Sequence, residues 1–255
     1  HGINQRVAQY QESLRDNLIH NAAVFVLHLP TNRVVAYVGN TPGAGSEHGE
    51  QVDIITAARS TGSLLKPFLY ARAMESGTLL PRQFLTDTPV DSNGYRPENF
   101  NKQFQGLVPA DKALSRSLNI PFVNLLQAYG LEKFHADLGN LGMTTLRPQP
   151  GHYGLTLILG GAEGTLEELT QLYAQLGQTL DYFTQNDSRY PATSLPAPGV
   201  YGAAAVPPPQ NREPVGISAG AAWWTLAAMR ELRRPDSEGA WEVFGAQEDI
   251  AWKTG

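Results

Sequence analysis

A serine and a lysine three residues apart, Ser63 and Lys66, stand in the segment STGSLLKPF, residues 60–68. On a helix, residues i and i+3 share one face with Cβ atoms roughly 5–6 Å apart, so the lysine amine could reach the serine hydroxyl. Burial and the positive end of a helix both disfavour the ammonium form, and a neutral amine can accept the serine proton. The pair therefore predicts a nucleophilic serine with a lysine base. Taken alone, the Ser-x-x-Lys pair is weak evidence, and a solvated helix start is the simpler interpretation.

Two further short motifs follow along the chain. Ser117 and Asn119 enclose Leu118 in a Ser-x-Asn motif, and Lys253 to Gly255 read Lys-Thr-Gly. Taken singly, Ser117 and Asn119 could form a helix cap or a polar pair in a loop. Lys253 could be an ordinary charged residue on an edge strand. In a chain of this composition, a chance Lys-Thr-Gly is expected roughly 0.03 times. The set Ser-x-x-Lys, Ser-x-Asn, Lys-Thr-Gly, in this order, is the motif set of penicillin-binding proteins and class A β-lactamases.

Longer segments extend this resemblance beyond the three motifs. The chain resembles, over nearly its whole length, the transpeptidase domain of class A, bifunctional penicillin-binding proteins, and within that family the 1C type. The resemblance implies an α/β fold of the penicillin-binding protein transpeptidase or serine β-lactamase type, with a central antiparallel sheet flanked by helices and a helical lobe. The segments that carry it are STGSLLKPFLYARAMESG (60–77), YRPENF (95–100), ALSRSLNIPFVNLLQAYG (113–130), LTLILGGAEGTLEELTQLYAQLG (155–177) and SAGAAWWTL (218–226).

The resemblance implies a serine-type D,D-transpeptidase that crosslinks peptidoglycan stem peptides without a cofactor. Ser63 would attack the carbonyl of the penultimate D-alanine, with Lys66 as the base. Ser117 would relay a proton to the leaving amine. A D,D-carboxypeptidase side activity is compatible with the same acyl-enzyme.

The resemblance also implies which residues bind the substrate. Asn119 would hydrogen-bond the peptide amide, and Lys253 and Thr254, with Gly255 beside them, would hold the terminal carboxylate. The expected partners are D-alanyl-D-alanine stem peptides and an amine acceptor. β-Lactams are expected to acylate the same serine, because their strained amide and carboxylate imitate the D-alanyl-D-alanine end.

The boundaries of the domain are a further expectation. In the family, the Lys-Thr-Gly strand continues, its next residue supplies an oxyanion N–H, and more strands and a helix complete the sheet. We therefore expect residues 1–255 to form one transpeptidase domain cut short after this motif, without the C-terminal strands. Nothing in the sequence resembles a glycosyltransferase domain or a signal peptide. The resemblance implies a periplasmic domain of a protein anchored in the bacterial inner membrane.

Composition limits the other classes of function. The chain has 255 residues, of which 42% are hydrophobic, a net charge of −5 and no cysteine. The absence of cysteine excludes disulfides, thiolate nucleophiles and thiolate metal sites. No overall positive charge is present to attract nucleic acid, so we expect no nucleic-acid partner. The six histidines are scattered without metal-ligand spacing, so no metal site is predicted.

The first part of the chain is expected to supply a helix and the start of the sheet. Apolar residues at steps of three and four predict an amphipathic helix over residues 3–20. The apolar runs at 22–29 and 33–39, separated by a turn, predict a β-hairpin whose first strand is well buried. Residues 53–77 are predicted to be helical on both sides of Gly62, which would place Ser63 at a helix start.

The remainder is predicted to be mostly helical. Residues 111–181 should form helices broken at glycines, and a helix should follow at 219–234. Between them, residues 189–214 hold seven prolines and are expected to form an extended connection or surface loop. The predicted helix breaks lie at Gly130, Gly139, Gly142, Gly160 and Gly161.

A second candidate nucleophile is Ser218, which lies in a Gly-x-Ser-x-Gly segment at 216–220. The nucleophile elbow with this pattern needs a preceding strand and a later histidine. A proline-rich segment precedes Ser218 and no histidine follows His152. We therefore predict that Ser218 caps the helix behind it.

Two rival functions share the motifs. A serine β-lactamase would need a carboxylate that activates the deacylating water, and Glu132, Asp137 and Glu163 lack the sequence context of such a base. A sensor module would bind β-lactams or peptidoglycan without turnover. The presence of all three motifs favours retained chemistry.

Overall fold

The computed structural model describes residues 2–91, 94, 96–190, 199–200, 216–231 and 250–255. Most of the predicted proline-rich connection at 189–214 lies outside these residues. The last part of the predicted helix at 219–234, with Arg233 and Arg234, also lies outside them.

A hairpin forms the main sheet of the described structure. Strands β1 (Val24–His28) and β2 (Arg33–Val38) pair antiparallel, and a short 3₁₀ turn and Asn32, in the left-handed conformation at φ 50°, connect them. The short strand β7 (Gly199–Val200) adds to β2 in parallel orientation. The predicted hairpin is therefore present, within a mixed three-stranded sheet.

The predicted burial of the first strand is wrong. Every residue of β1 is partly or fully exposed, and Val26 is 37% exposed. β2 instead supplies the buried side chains Val34 and Val38. Among the described strands, β1 lies at one edge of the sheet and pairs with β2 alone.

Helices form the larger part of the core. The side chains of Phe68, Phe122 and Phe134, from three different helices, are fully buried together. This packing fixes the orientation of the helices that carry the motif residues. The helices are α1 (Gly2–Leu14), α2 (Lys66–Glu75), α3 (Ala110–Ser115), α4 (Ile120–Tyr129), α5 (Leu131–Leu141), α6 (Pro150–Tyr153), α7 (Leu166–Gln185) and α8 (Ala219–Arg230).

Two small antiparallel pairs of strands lie between the helices and support the segments that carry the motif residues. Strand β3 (Arg59–Ser60) pairs with β6 (Glu163–Gly164) and leads directly into the turn that carries Ser63. Strand β4 (Phe84–Asp87) pairs with β5 (Gly106–Pro109), and the segment between them holds residues 96–100. Each pair brings a loop to the same cleft.

Several predicted boundaries differ from the structure. Residues 53–61 contain bends and β3 rather than a helix, and α2 begins at Lys66, so the expectation of a helix before Gly62 is wrong. Gly62 has φ +51°, which breaks a helix here. Gly139 lies inside α5, whereas Gly130 and Gly142 end helices as predicted.

Side chains cap the first turns of α8 and α7. Ser218 caps α8, since its hydroxyl accepts a hydrogen bond from Ala221 N at 3.3 Å, which confirms the predicted cap. The capping box of Thr165 and Glu168 starts α7 just after β6. Within the described residues, no helix combines the length and the apolar character that a membrane crossing would need.

Candidate active site

Ser63 lies in a tight turn between β3 and α2. Lys66 N donates to Ser63 O at 3.3 Å, and Leu64 N donates to Thr61 O at 2.9 Å. Thr61 anchors the turn to the opposite loop, because its N–H and its hydroxyl both donate to Ala162 O, at 3.0 and 3.2 Å. Ser63 therefore precedes the helix rather than sharing a helical face with Lys66.

Three glycines bring the backbone segments around Ser63 into close contact. A Cβ on Gly160 would lie 2.9 Å from Gly62 Cα, and a Cβ on Gly62 would lie 2.5 Å from Gly255 C. Gly62 and Gly160 both have positive φ, +51° and +102°. Only glycine allows this spacing, so the Lys-Thr-Gly segment can lie directly against the turn that carries the serine.

Lys66 is fully buried beneath the cleft. Its Nζ donates to Ser117 O at 2.8 Å and to Asn119 Oδ1 at 2.7 Å, so it joins the first two motifs. Burial lowers the pKa of Lys66 well below its usual value, and the positive charge of Lys253 lowers it further. No hydrogen bond joins Lys66 Nζ to Ser63 Oγ among the described residues.

Ser117 connects the two lysines of the site. Its carbonyl accepts from Lys66, and its Oγ accepts from Lys253 Nζ at 2.8 Å. Ser117 has φ +57°, which is uncommon for a residue with a Cβ and turns the chain between α3 and α4. The side chain and the carbonyl of one residue therefore contact a lysine each.

Asn119 precedes α4 and directs its side chain away from that helix. Its Oδ1 accepts from Lys66, and its Nδ2 donates to Glu98 O at 2.8 Å. Its backbone N–H donates to Asn99 Oδ1 at 2.8 Å. Asn119 makes no side-chain capping bond to α4, so its amide remains part of the cleft.

Lys253 to Gly255 belong to a segment without regular secondary structure that contributes another wall of the cleft. The structure assigns no strand to residues 251–255, in contrast to the edge strand that the sequence suggested. Thr254 and Gly255 line the cleft, and Lys253 reaches across to Ser117.

These elements enclose a cleft with a volume of about 360 Å³. Its described lining contains neither Asp nor Glu. The ring of Phe100 stands at the edge of the cleft and is 96% exposed. The lining residues are Gly62, Ser63, Asn99, Phe100, Asn101, Gln105, Arg116, Ser117, Leu118, Asn119, Leu159, Thr254 and Gly255.

Most residues that the sequence singled out meet here. Ser63, Ser117, Asn119, Thr254 and Gly255 line the cleft itself. The two lysines of the motifs lie beside it and contact its lining residues. The arrangement places a hydroxyl, a buried amine and a half-buried cation around one small volume, which suits acyl transfer to a serine.

Sequence reasoning assigned no role to Glu98 and Asn99, which hold Asn119 in place. The signal was available in the segment YRPENF, which carried part of the family resemblance. Their separation of about twenty residues from Asn119 hid the contact, because only the β4–β5 pairing brings the two segments together.

Comparison with known proteins agrees with this geometry. A model for the penicillin-binding protein transpeptidase domain matches residues 22–180. The chain is 31% identical over 258 residues to penicillin-binding protein 1C of Escherichia coli (strain K12), covering 100% of this chain and 30% of that protein. It is 32% identical over 131 residues to penicillin-binding protein 1B of Vibrio cholerae, covering 48% of this chain and 16% of that protein. The chain thus spans less than a third of the length of these relatives.

Solved structures share the fold at low sequence identity. A peptidoglycan glycosyltransferase from Burkholderia ambifaria has a TM-score of 0.66 and 15% identity, covering 90% of this chain and 72% of that one. Pseudomonas aeruginosa PBP2 in complex with WCK 5153 has a TM-score of 0.62 and 17% identity, covering 88% and 60%. The predicted α/β transpeptidase fold is thereby confirmed. With a family match across most of its length and class A relatives, this chain belongs to the penicillin-binding protein transpeptidase family.

Proposed function

We propose that this transpeptidase domain is a D,D-transpeptidase that works through an acyl-enzyme on Ser63. The observation that carries the proposal is the convergence of the three motifs on one cleft, with a buried lysine beneath it whose pKa is lowered. Contacts between residues 51 and 136 positions apart in the chain join these groups.

The hydrogen bonds of Lys66 support a role as general base. A neutral amine carries two N–H groups and one lone pair. Its two hydrogen bonds, to Ser117 O and to Asn119 Oδ1, use both N–H groups. The lone pair then remains available for the Ser63 proton once a substrate draws the hydroxyl into position.

Acylation would proceed by addition and elimination. Ser63 Oγ forms a bond to the carbonyl carbon of the penultimate D-alanine, and its proton passes to Lys66 Nζ. The tetrahedral intermediate then breaks its C–N bond, and the departing D-alanine amine takes a proton delivered through Ser117. An acceptor amine then attacks the ester carbonyl carbon and gives a proton to neutral Lys66. The C–O bond to Ser63 breaks, Ser63 Oγ takes that proton from Lys66, and the new amide is the crosslink.

The wall formed by Lys253, Thr254 and Gly255 would bind the terminal carboxylate of the donor peptide. Lys253 already donates to the Ser117 hydroxyl, so a carboxylate arriving here would meet an ammonium group and a hydroxyl together. Charge-assisted hydrogen bonds of this kind contribute about 1.5–3 kcal/mol each. Asn119 would hydrogen-bond the peptide amide from the opposite side.

The same reasoning extends to partners and location. Peptidoglycan stem peptides are the proposed substrates and β-lactams the proposed covalent inhibitors. The peptidoglycan layer places such a domain in the periplasm, on a parent protein anchored in the inner membrane.

The described cleft lining lacks the carboxylate that a β-lactamase would need for fast deacylation, so a long-lived penicilloyl adduct is expected.

Labelling with a fluorescent penicillin, followed by peptide mapping, tests this proposal. A single adduct is expected on Ser63, and Ser63→Ala should abolish it. Ser218→Ala is the matched control, because Ser218 lies in the Gly-x-Ser-x-Gly segment and caps α8. Labelling of another serine, or release of the adduct within seconds, would overturn the proposal. Binding of a D-alanyl ligand without any acylation would identify a sensor instead.

A further inference from the structure

The N-terminus of α4 receives its cap from another part of the chain. Asn119 occupies the cap position without making a side-chain capping bond. Asn99 Oδ1 instead accepts from Asn119 N at 2.8 Å and lies 3.4 Å from Ile120 N. The first N–H groups of a helix need acceptors, and a residue at the cap position usually supplies one from its own side chain. Because Asn99 supplies the acceptor, the Asn119 side chain is available to bond Lys66 and Glu98 in the cleft.

Asn99 is itself held in one orientation by a buried carboxylate. Its Nδ2 donates to Asp87 Oδ1 at 2.7 Å and to Gln103 O at 2.8 Å. Both partners are acceptors, so the amide nitrogen must face them and Oδ1 must face α4. Asp87 is fully buried, Asn99 is 3% exposed, and the second Asp87 oxygen accepts from Gln105 N at 2.9 Å.

The residue before Asn99 fixes the orientation of the Asn119 side chain. Glu98 O accepts from Asn119 Nδ2 at 2.8 Å, which leaves Oδ1 directed at Lys66 Nζ, 2.7 Å away. Glu98 and Asn99 therefore set both the backbone position of Asn119 and the direction of its amide.

We propose that Asn99, locked by Asp87, is a positioning residue that holds Asn119 against Lys66 and so keeps the lysine amine aligned for proton transfer. This inference rests on the proposed function, since the effect passes through Asn119 and Lys66. A misplacement of about 1 Å in such a site can cost on the order of 10²-fold in rate.

Reversal of the amide–carboxylate pair tests the proposal. Asn99→Asp sets a second carboxylate against Asp87 and the Gln103 carbonyl. We expect acylation by a β-lactam at saturation to slow by roughly 10–100-fold, while non-covalent affinity changes by less than about threefold. Adding Asp87→Asn restores a donor facing an acceptor, so the double variant should recover most of the lost rate.

The control is Asn124→Asp, which adds the same charge on α4 and removes one hydrogen bond, to Thr86 O. It should acylate at the wild-type rate. Normal acylation by Asn99→Asp, an effect confined to affinity, or a folded double variant without recovery would each overturn the proposal. If Asn99→Asp does not fold, Asp87→Asn alone serves, with a smaller expected slowing, and an unchanged rate in that variant would equally overturn it.

A second readout separates this inference from the proposed function. Hydrogen exchange at the Asn119 backbone amide should accelerate about tenfold or more in Asn99→Asp and return towards the wild-type rate in the double variant. If the wild-type protein forms no adduct, the proposed function fails, and exchange still decides whether Asn99 holds Asn119. Unchanged exchange in a folded Asn99→Asp protein would overturn the positioning role.

Discussion

The two lysines that contact Ser117 differ in how the protein holds them. Lys66 is fully buried at the start of α2, and two acceptors from the α3–α4 connection fix its amine. Lys253 is half-buried, belongs to a segment without regular secondary structure and donates to Ser117 Oγ. Burial suits a base that must lose its charge, whereas partial exposure suits a cation that must keep it. One residue type thus stands in two opposite electrostatic environments.

The largest expected difference concerns the rate of the chemical step. Lys66→Ala should slow β-lactam acylation of Ser63 by about 10²–10⁴-fold, the usual contribution of a positioned general base, with little change in non-covalent affinity. Stopped-flow measurements over a range of ligand concentrations separate the two quantities.

Lys66→Met is the volume-matched companion, because alanine would leave a cavity beneath the cleft. Lys133→Ala removes a lysine of α5 that is remote from the cleft and should leave acylation unchanged. If Lys66→Met acylates normally, Lys66 is not the base and Ser117 becomes the residue to test.

Lys253→Ala should produce a smaller loss, mainly in attraction to the ligand. One charge-assisted hydrogen bond corresponds to roughly 10–100-fold in the second-order acylation rate. A β-lactam ester without a free carboxylate should be nearly insensitive to the substitution, because it offers no anion to the ammonium group. An equal loss for the ester and the parent acid would contradict a carboxylate-binding role.

The smallest expected effect is a shift in the pH dependence of the acylation rate. It depends on the electrostatic interaction between the two lysines. Acylation requires neutral Lys66, so its rate should rise with pH through the lowered pKa of Lys66 and then level off. The charge of Lys253 contributes to that lowering, so Lys253→Ala should raise the pKa of Lys66. The midpoint of the pH–rate profile should then move to higher pH. A midpoint that moves to lower pH, or does not move, would contradict the effect of the Lys253 charge on the pKa of Lys66.

The sequence was sufficient to predict which segments meet in the cleft but not how Lys66 approaches its partners. The i, i+3 argument assumed one continuous helix, whereas the positive φ of Gly62 introduces a turn that keeps Ser63 outside α2. The Lys66 amine instead donates to Ser117 and Asn119 in the α3–α4 connection. No local sequence pattern predicts this contact.

Long-range pairing explains the other misses. The apolar run of β1 suggested burial. Its exposure depends on which other elements pack against it, and the sequence of one strand does not contain that information. The role of Asn99 likewise depends on a contact across about twenty residues. By contrast, the Ser218 cap was predictable, because capping involves only neighbouring residues.

The glycine contacts around Ser63 limit how this site can change by mutation. Gly62 separates Gly160 from Gly255, and a single added methyl group on Gly62 or Gly160 would force the backbones apart. The resulting gap would move Ser63 relative to Thr254 and Gly255 for every ligand of the cleft, whether antibiotic or peptide. If the proposed function holds, substitutions of these two glycines would impair β-lactam acylation and crosslinking together, so resistance substitutions should arise instead at exposed rim positions such as Phe100.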